Sequence, residues 1–102
     1  MNNSLKDIIN IILDSAPSKT ILLYDKQTFS SNEYELYVIL EDSEPNPKKA
    51  IGRIYEALRN SQSDKNIEVL ASFQDEFDLR ALNPNSIEHL FAKSGIPIHQ
   101  NP

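Results

Sequence analysis

The middle of this chain alternates. From Glu33 to Leu40 it reads Glu-Tyr-Glu-Leu-Tyr-Val-Ile-Leu, and period two places Tyr34, Leu36, Val38 and Leu40 on one face of a strand. The other face opens with Glu33 and Glu35 and continues with Tyr37 and Ile39. Ahead of this strand, Leu5, Ile8, Ile9, Ile12, Leu13 and Ala16 recur at helical spacing. The pattern predicts an amphipathic helix, opened by a capping box at Ser4-Leu5-Lys6-Asp7 and ended by Pro17. Thr20 to Tyr24 is nearly all apolar and reads as a strand buried on both faces. The polar stretch 25–32 then has about the length of a hairpin loop.

Beyond Leu40, an acidic loop with prolines leads to Asn46 and Pro47, the residue types expected at the N-cap and first position of a helix. That helix is predicted to reach about Asn60, burying Ile51, Ile54, Tyr55 and Leu58 and turning Lys48, Lys49, Arg53 and Arg59 to solvent. Gly52 inside it reads as a point where another backbone comes close. Ile67 to Leu70 form a third strand, with Glu68 as the odd acid among apolar neighbours. Phe73, Phe77, Leu79 and Leu82 predict a short or broken helix. A last helix is expected to start at Asn83-Pro84, carry Ile87, Leu90 and Phe91, and stop at Gly95 as a left-handed cap. Ile96 to His99 add an edge strand, where Pro97 is tolerated. The order is α-β-β-α-β-α-α with a closing strand, a single α+β domain over residues 1–102.

Composition narrows the class. At 102 residues, 39% hydrophobic and 25% charged, the chain reads as one globular domain rather than a disordered segment. It has no cysteine, which excludes disulfides, zinc–thiolate sites and cysteine nucleophiles. Its apolar runs are too short to span a bilayer, and its first residues do not form a signal peptide, so a cytoplasmic protein without membrane contact is expected. The net charge of −5 argues against nucleic acid as a direct ligand. It leaves nucleotide binding open, because a metal can bridge carboxylates to phosphates.

The candidate chemistry is a set of acids: Glu33 and Glu35 on the second strand and Glu68 on the third. If those strands are neighbours with their polar sides facing one way, the carboxylates converge. Such a triad can hold Mg²⁺ ions about 3.5–4 Å apart for in-line displacement at a phosphate. The competing reading is a strand face that is merely solvated. His89 and His99 have no acid at ligand spacing and read as structural or surface residues. Nucleophile-elbow, Walker and dinucleotide-binding patterns are absent.

Several stretches together carry a family resemblance. Lys19-Thr20-Ile21-Leu22-Leu23-Tyr24, Glu33 to Leu40, and Asn66-Ile67-Glu68-Val69-Leu70 follow one another as three strands. Phe73 to Leu82, Asn83-Pro84, and Ala92-Lys93-Ser94-Gly95-Ile96 close the chain. In this layout the chain resembles the minimal nucleotidyltransferases, small stand-alone members of the polymerase-β-like nucleotidyltransferase superfamily. Their second strand opens with Asp-x-Asp and their third bears a single Asp. The resemblance implies an α+β, nucleotidyltransferase-like fold, a small mixed sheet with helices packed on one face. It assigns Glu33, Glu35 and Glu68 as the catalytic, metal-binding residues, with Mg²⁺ as cofactor and an NTP as substrate.

The departures from the family fall on functional positions. Where the family has Gly-Ser after its first strand, this chain has Asp25-Lys26. Glycine's freedom lets backbone N–H groups approach a triphosphate; without it, Lys26 is left as the phosphate-binding candidate. All three aspartates are glutamates, each a methylene longer, whereas Mg²⁺ demands near-octahedral geometry at about 2.0–2.1 Å. The resemblance with these departures implies a catalytically impaired or inactive protein, antitoxin-like, acting through an all-helical HEPN-type partner or a second copy. The contact surface would be the edge at Ile96 to Ile98 or the acidic rim from Glu41 to Glu44. The alternative is an active Mg²⁺-dependent nucleotidyltransferase. There Glu33 and Glu35 bind the metal and Glu68 helps activate a hydroxyl acceptor for the nucleoside monophosphate.

Overall fold

The computed structural model describes residues 5–24, 33–61 and 66–101, apart from the side chains of Glu33 and Asn66. The elements are α1 (Leu5–Ser15), β1 (Ser18–Tyr24), β2 (Glu33–Leu40), α2 (Pro47–Asn60), β3 (Asn66–Phe73), α3 (Gln74–Ala81), α4 (Ile87–Ser94) and β4 (Ile96–Gln100). The strands form one sheet in the order β3-β2-β1-β4. β1 runs antiparallel to both β2 and β4, and β2 runs parallel to β3. This is the α+β class with a mixed sheet expected above, and it is compatible with a nucleotidyltransferase-like arrangement. The capping box at Ser4 and the 25–32 connection, with Lys26, lie outside the described residues.

Both faces of the sheet are covered, which corrects the expectation of helices on one face. On the first face, Ile8 and Ile12 of α1 and Ala50, Ile54 and Leu58 of α2 pack with Ile21, Leu23, Leu36, Val38, Leu40 and Val69. On the second, Phe77 of α3 and Phe91 of α4 close over Tyr37 and Ile39, with Leu22, Tyr24 and Leu70 at the margin. The reason is in β2: from Tyr37 onward both of its faces are apolar, so each needs its own cover. Residues Leu36 to Leu40 are at most 2% exposed. Each such side chain contributes about 1.5–3 kcal/mol by leaving water.

α2 starts as expected, with Asn46 Oδ1 accepting from the N–H of Lys48 at 3.0 Å and of Lys49 at 3.4 Å. Glu44, expected on an acidic rim, is instead 2% exposed. It accepts from the Asn46 N–H at 3.1 Å and forms an ion pair with Arg53. Arg53 Nε also donates to the Ser15 carbonyl at 2.9 Å, tying α2 to the end of α1. Leu79 and Leu82 remain 70% and 78% exposed while Phe77 is buried. At about 100° per residue, Leu79 sits some 200° from Phe77, so the two cannot face the core together on the short helix that was expected. α4 begins three residues later than expected: Asn83 Oδ1 is used in the turn, accepting from Asn85 N–H at 3.0 Å. Ser86 is the N-cap, accepting from the His89 N–H at 3.0 Å.

Both glycines differ from their expected roles. Gly52 is exposed, and a Cβ there meets nothing within 4 Å, so no backbone approaches it. Gly95 has φ −70° and ψ 143°, an extended rather than left-handed conformation. Its N–H donates to the Phe91 carbonyl at 2.8 Å, and a Cβ would stand 2.5 Å from that oxygen. Its small size is what the chain uses. Gly52→Ala is therefore expected to raise stability by about 0.5–1 kcal/mol through helix propensity and lower unfolded-state entropy. Gly95→Ala should lower it by on the order of 1–3 kcal/mol, because the clash is with backbone. Urea unfolding of both variants checks the opposite signs.

Candidate functional site

The parallel register of β2 and β3 sets Glu35 opposite Glu68 and Glu33 opposite Asn66. Parallel neighbours in register project their side chains to the same face, with strands about 4.8 Å apart. Glu35 and Glu68 are therefore side by side, and Glu33 lies two positions before Glu35 on β2. On the other side, Tyr24 at the end of β1 pairs with Glu35. Glu35 and Glu68 thus share the end of the second sheet face where β2 and β3 begin and β1 stops. Glu68 is exposed and Glu35 half-buried. Lys26, the phosphate-binding candidate, lies outside the described residues. Among the described residues no group of three His, Asp or Glu side chains gathers closely enough to hold a metal; Glu33's side chain is not one of them. Adjacent carboxylates of this kind can offer oxygens to one hard cation.

The same face continues inward into a polar network that the hydrophobic pattern does not reveal. Tyr37 hydroxyl donates to Glu88 Oε2 at 2.8 Å and lies 2.8 Å from Ser72 Oγ. A carboxylate only accepts, so the Tyr37 proton goes to Glu88 and the hydroxyl is left to accept from Ser72. Arg80 Nη1 stands 3.8 Å from Glu88 Oε2, and its Nη2 is 3.4 Å from Glu76. Tyr37, Ser72 and Glu88 are 1%, 2% and 8% exposed. Edge-to-face contacts of Tyr37 with Phe77 at 4.9 Å and Phe91 at 5.5 Å, and of Tyr24 with Phe91 at 6.1 Å, enclose it. Burial pushes the Tyr37 hydroxyl up to about 12; Glu88 adds to the rise, while Ser72 and Arg80 oppose it. A tyrosine that holds its proton this firmly serves as a tie between α4, β2 and β3, not as a base.

Sequence reasoning missed Ser72, which lies past the expected end of the third strand, and Glu88, which it did not single out. The available signal was spacing: Glu88 and Phe91 are three apart and share a helix face. His89 Nδ1 lies 2.9 Å from the Ala81 carbonyl and His99 Nε2 3.1 Å from Asn101 Oδ1, structural contacts as expected. An open cleft of about 510 Å³, lined in part by Lys48, Ile51, Ala71, Phe73 and Arg80, lies at the far end of β3 from the acids. No helix among the described residues is long and apolar enough to cross a membrane.

The Tyr37 environment has a measurable consequence. Below pH 10 the hydroxyl is protonated in both folded and unfolded chains, and its contribution is complete. Between pH 10 and about 12 the unfolded chain releases the proton first, so stability falls as pH rises through that window. The loss is on the order of 2 kcal/mol. Unfolding midpoints taken from pH 9 upward should fall less steeply in Tyr37→Phe, which itself costs about 1–3 kcal/mol by removing a partner from buried Glu88 and Ser72.

Compared with known proteins, the chain matches no family model, no curated protein and no solved structure.

Proposed function

We propose that this chain is a nucleotidyltransferase-like protein with an impaired catalytic centre, acting by binding a protein partner in an antitoxin-like role. The observation that supports the reading is the β2–β3 register. It brings Glu35 beside Glu68, with Glu33 two positions earlier on β2, at the sheet end where a nucleotidyltransferase keeps its acids. Impairment follows from the side chains. Each glutamate places its carboxylate a methylene further out than aspartate on a stem with one more rotor, and a misplacement of about 1 Å can cost on the order of a hundredfold in rate. Asp25-Lys26, which follows the first strand in sequence, also lacks the glycine that lets a backbone close on a triphosphate.

A partner surface is supported by large apolar side chains left in water: Leu79, Leu82 and Ile87 around the α3–α4 connection and Ile96 on β4. Glu44, turned inward onto Arg53, withdraws from the acidic rim that the sequence offered as an alternative. The partner class that fits the reading is an all-helical HEPN-type protein or a second copy. A second reading, an active Mg²⁺-dependent enzyme passing a nucleoside monophosphate from NTP to a hydroxyl, is favoured by the same register of Glu35 and Glu68.

Thermal unfolding with Mg²⁺ or Mn²⁺ and each NTP separates the two. An intact site at a hundred times its Kd adds about 2.7 kcal/mol of stability. That is a midpoint rise of roughly ten degrees or more for a domain of this size. The impaired reading expects no metal-dependent shift with any nucleotide. A rise of that size that disappears in Glu35→Ala would overturn it in favour of the enzyme.

A further inference from the structure

Among the described residues, β3 lies at one edge of the sheet, paired with β2 alone. Its other side presents main-chain groups of alternate residues outward, the arrangement by which edge strands recruit further strands. The opposite edge, β4, is five residues long and carries Pro97, which weakens it as a template. β3 has neither protection: it is eight residues long, Asn-Ile-Glu-Val-Leu-Ala-Ser-Phe, without proline and with Glu68 as its one charge. One element does meet its outer side.

That element is Tyr55, on α2. Val69 N–H donates to the Tyr55 hydroxyl at 2.8 Å, and the hydroxyl donates to the Val69 carbonyl at 3.4 Å. One side chain thus holds both main-chain groups of Val69 on the side away from β2, while its ring packs on the core beneath. Val69 is near the middle of β3. In a twofold antiparallel pairing of two β3 strands centred on Val69, that residue and its copy would exchange both N–H···O bonds with each other. We propose that Tyr55 closes the β3 edge against a second copy of this chain, by occupying the donor and acceptor at Val69 around which such a pair would form. The inference is independent of the acids and of the functional reading above, and it directs any partner to another surface.

The experiment pairs amide hydrogen exchange with sedimentation velocity over a wide concentration range, using Tyr55→Phe, which removes the hydroxyl and keeps the ring. Wild-type Val69 should exchange more slowly than its outward neighbours Ile67 and Ala71. Tyr55→Phe should raise Val69 exchange by about five- to tenfold, the worth of one hydrogen bond. It should also self-associate more strongly than the wild type as concentration rises. Adding Ala71→Pro removes the next outward N–H and should abolish that association. Tyr55→Leu is a second hydroxyl-free variant, and far-UV circular dichroism checks each fold. The proposal is overturned if wild-type Val69 exchanges as fast as its neighbours. It is overturned equally if a folded hydroxyl-free variant sediments as wild type at every concentration, or if association survives Ala71→Pro. Loss of fold in both variants would also sink it, since Tyr55 would then be a residue the core requires.

Discussion

Everything in this structure depends on the double burial of β2. Its last five residues are at most 2% exposed, so both faces must be covered at once. One cover, α1 and α2, comes from helices flanking the first hairpin-like pair of strands in sequence. The other comes from the C-terminal third, from two eight-residue helices that bury only part of their apolar surface. Phe77 and Phe91 supply most of that cover. Short helices are marginal alone and persist through packing. The Tyr37–Glu88 hydrogen bond, the Ser72 contact and the Arg80 ion pair therefore matter to the fold as ties that hold a small roof in place.

Most of the element order was legible because the signals were local and strong. Asn46-Pro47 names a helix start by the geometry of its own side chain and ring, and the strand at Glu33 to Leu40 opens with clear alternation over Glu33-Tyr34-Glu35-Leu36. The C-terminal third was legible only in outline. Its apolar residues, Phe73, Phe77, Leu79 and Leu82, do not share one helical face, so periodicity could not say which of them pack. Gly95 was placed correctly at a helix end but for the wrong reason: glycine serves close approach as well as positive φ, and sequence does not distinguish the two.

The candidate site shows the same division. That Glu33 and Glu35 share a strand face follows from period two alone. That Glu68 stands beside Glu35 rather than beside Glu33 or Tyr37 is a matter of register between strands separated by a helix, which nothing in either strand encodes. Tyr55 is the sharpest case. Its position in the apolar stripe of α2 correctly predicts that the ring packs on the core, and hides that the hydroxyl reaches past it to Val69. A tyrosine in an apolar stripe has two ends, and the pattern reads only one.

The roof over the second face and the acids bear on each other. Phe91 reaches Tyr24 and Tyr37, the neighbours of Glu35 across and along the sheet, and Glu68 beyond them is exposed. The apolar cover thus ends about where the carboxylates begin. Two carboxylates about 4 Å apart repel by roughly 1 kcal/mol in water and by several times that at the dielectric of a protein surface. A cation between them would reverse that term, and short aspartate stems would then be favoured because they hold the oxygens close. Without a cation, glutamate's longer stem lets the exposed Glu68 turn its charge away from the half-buried Glu35 into water.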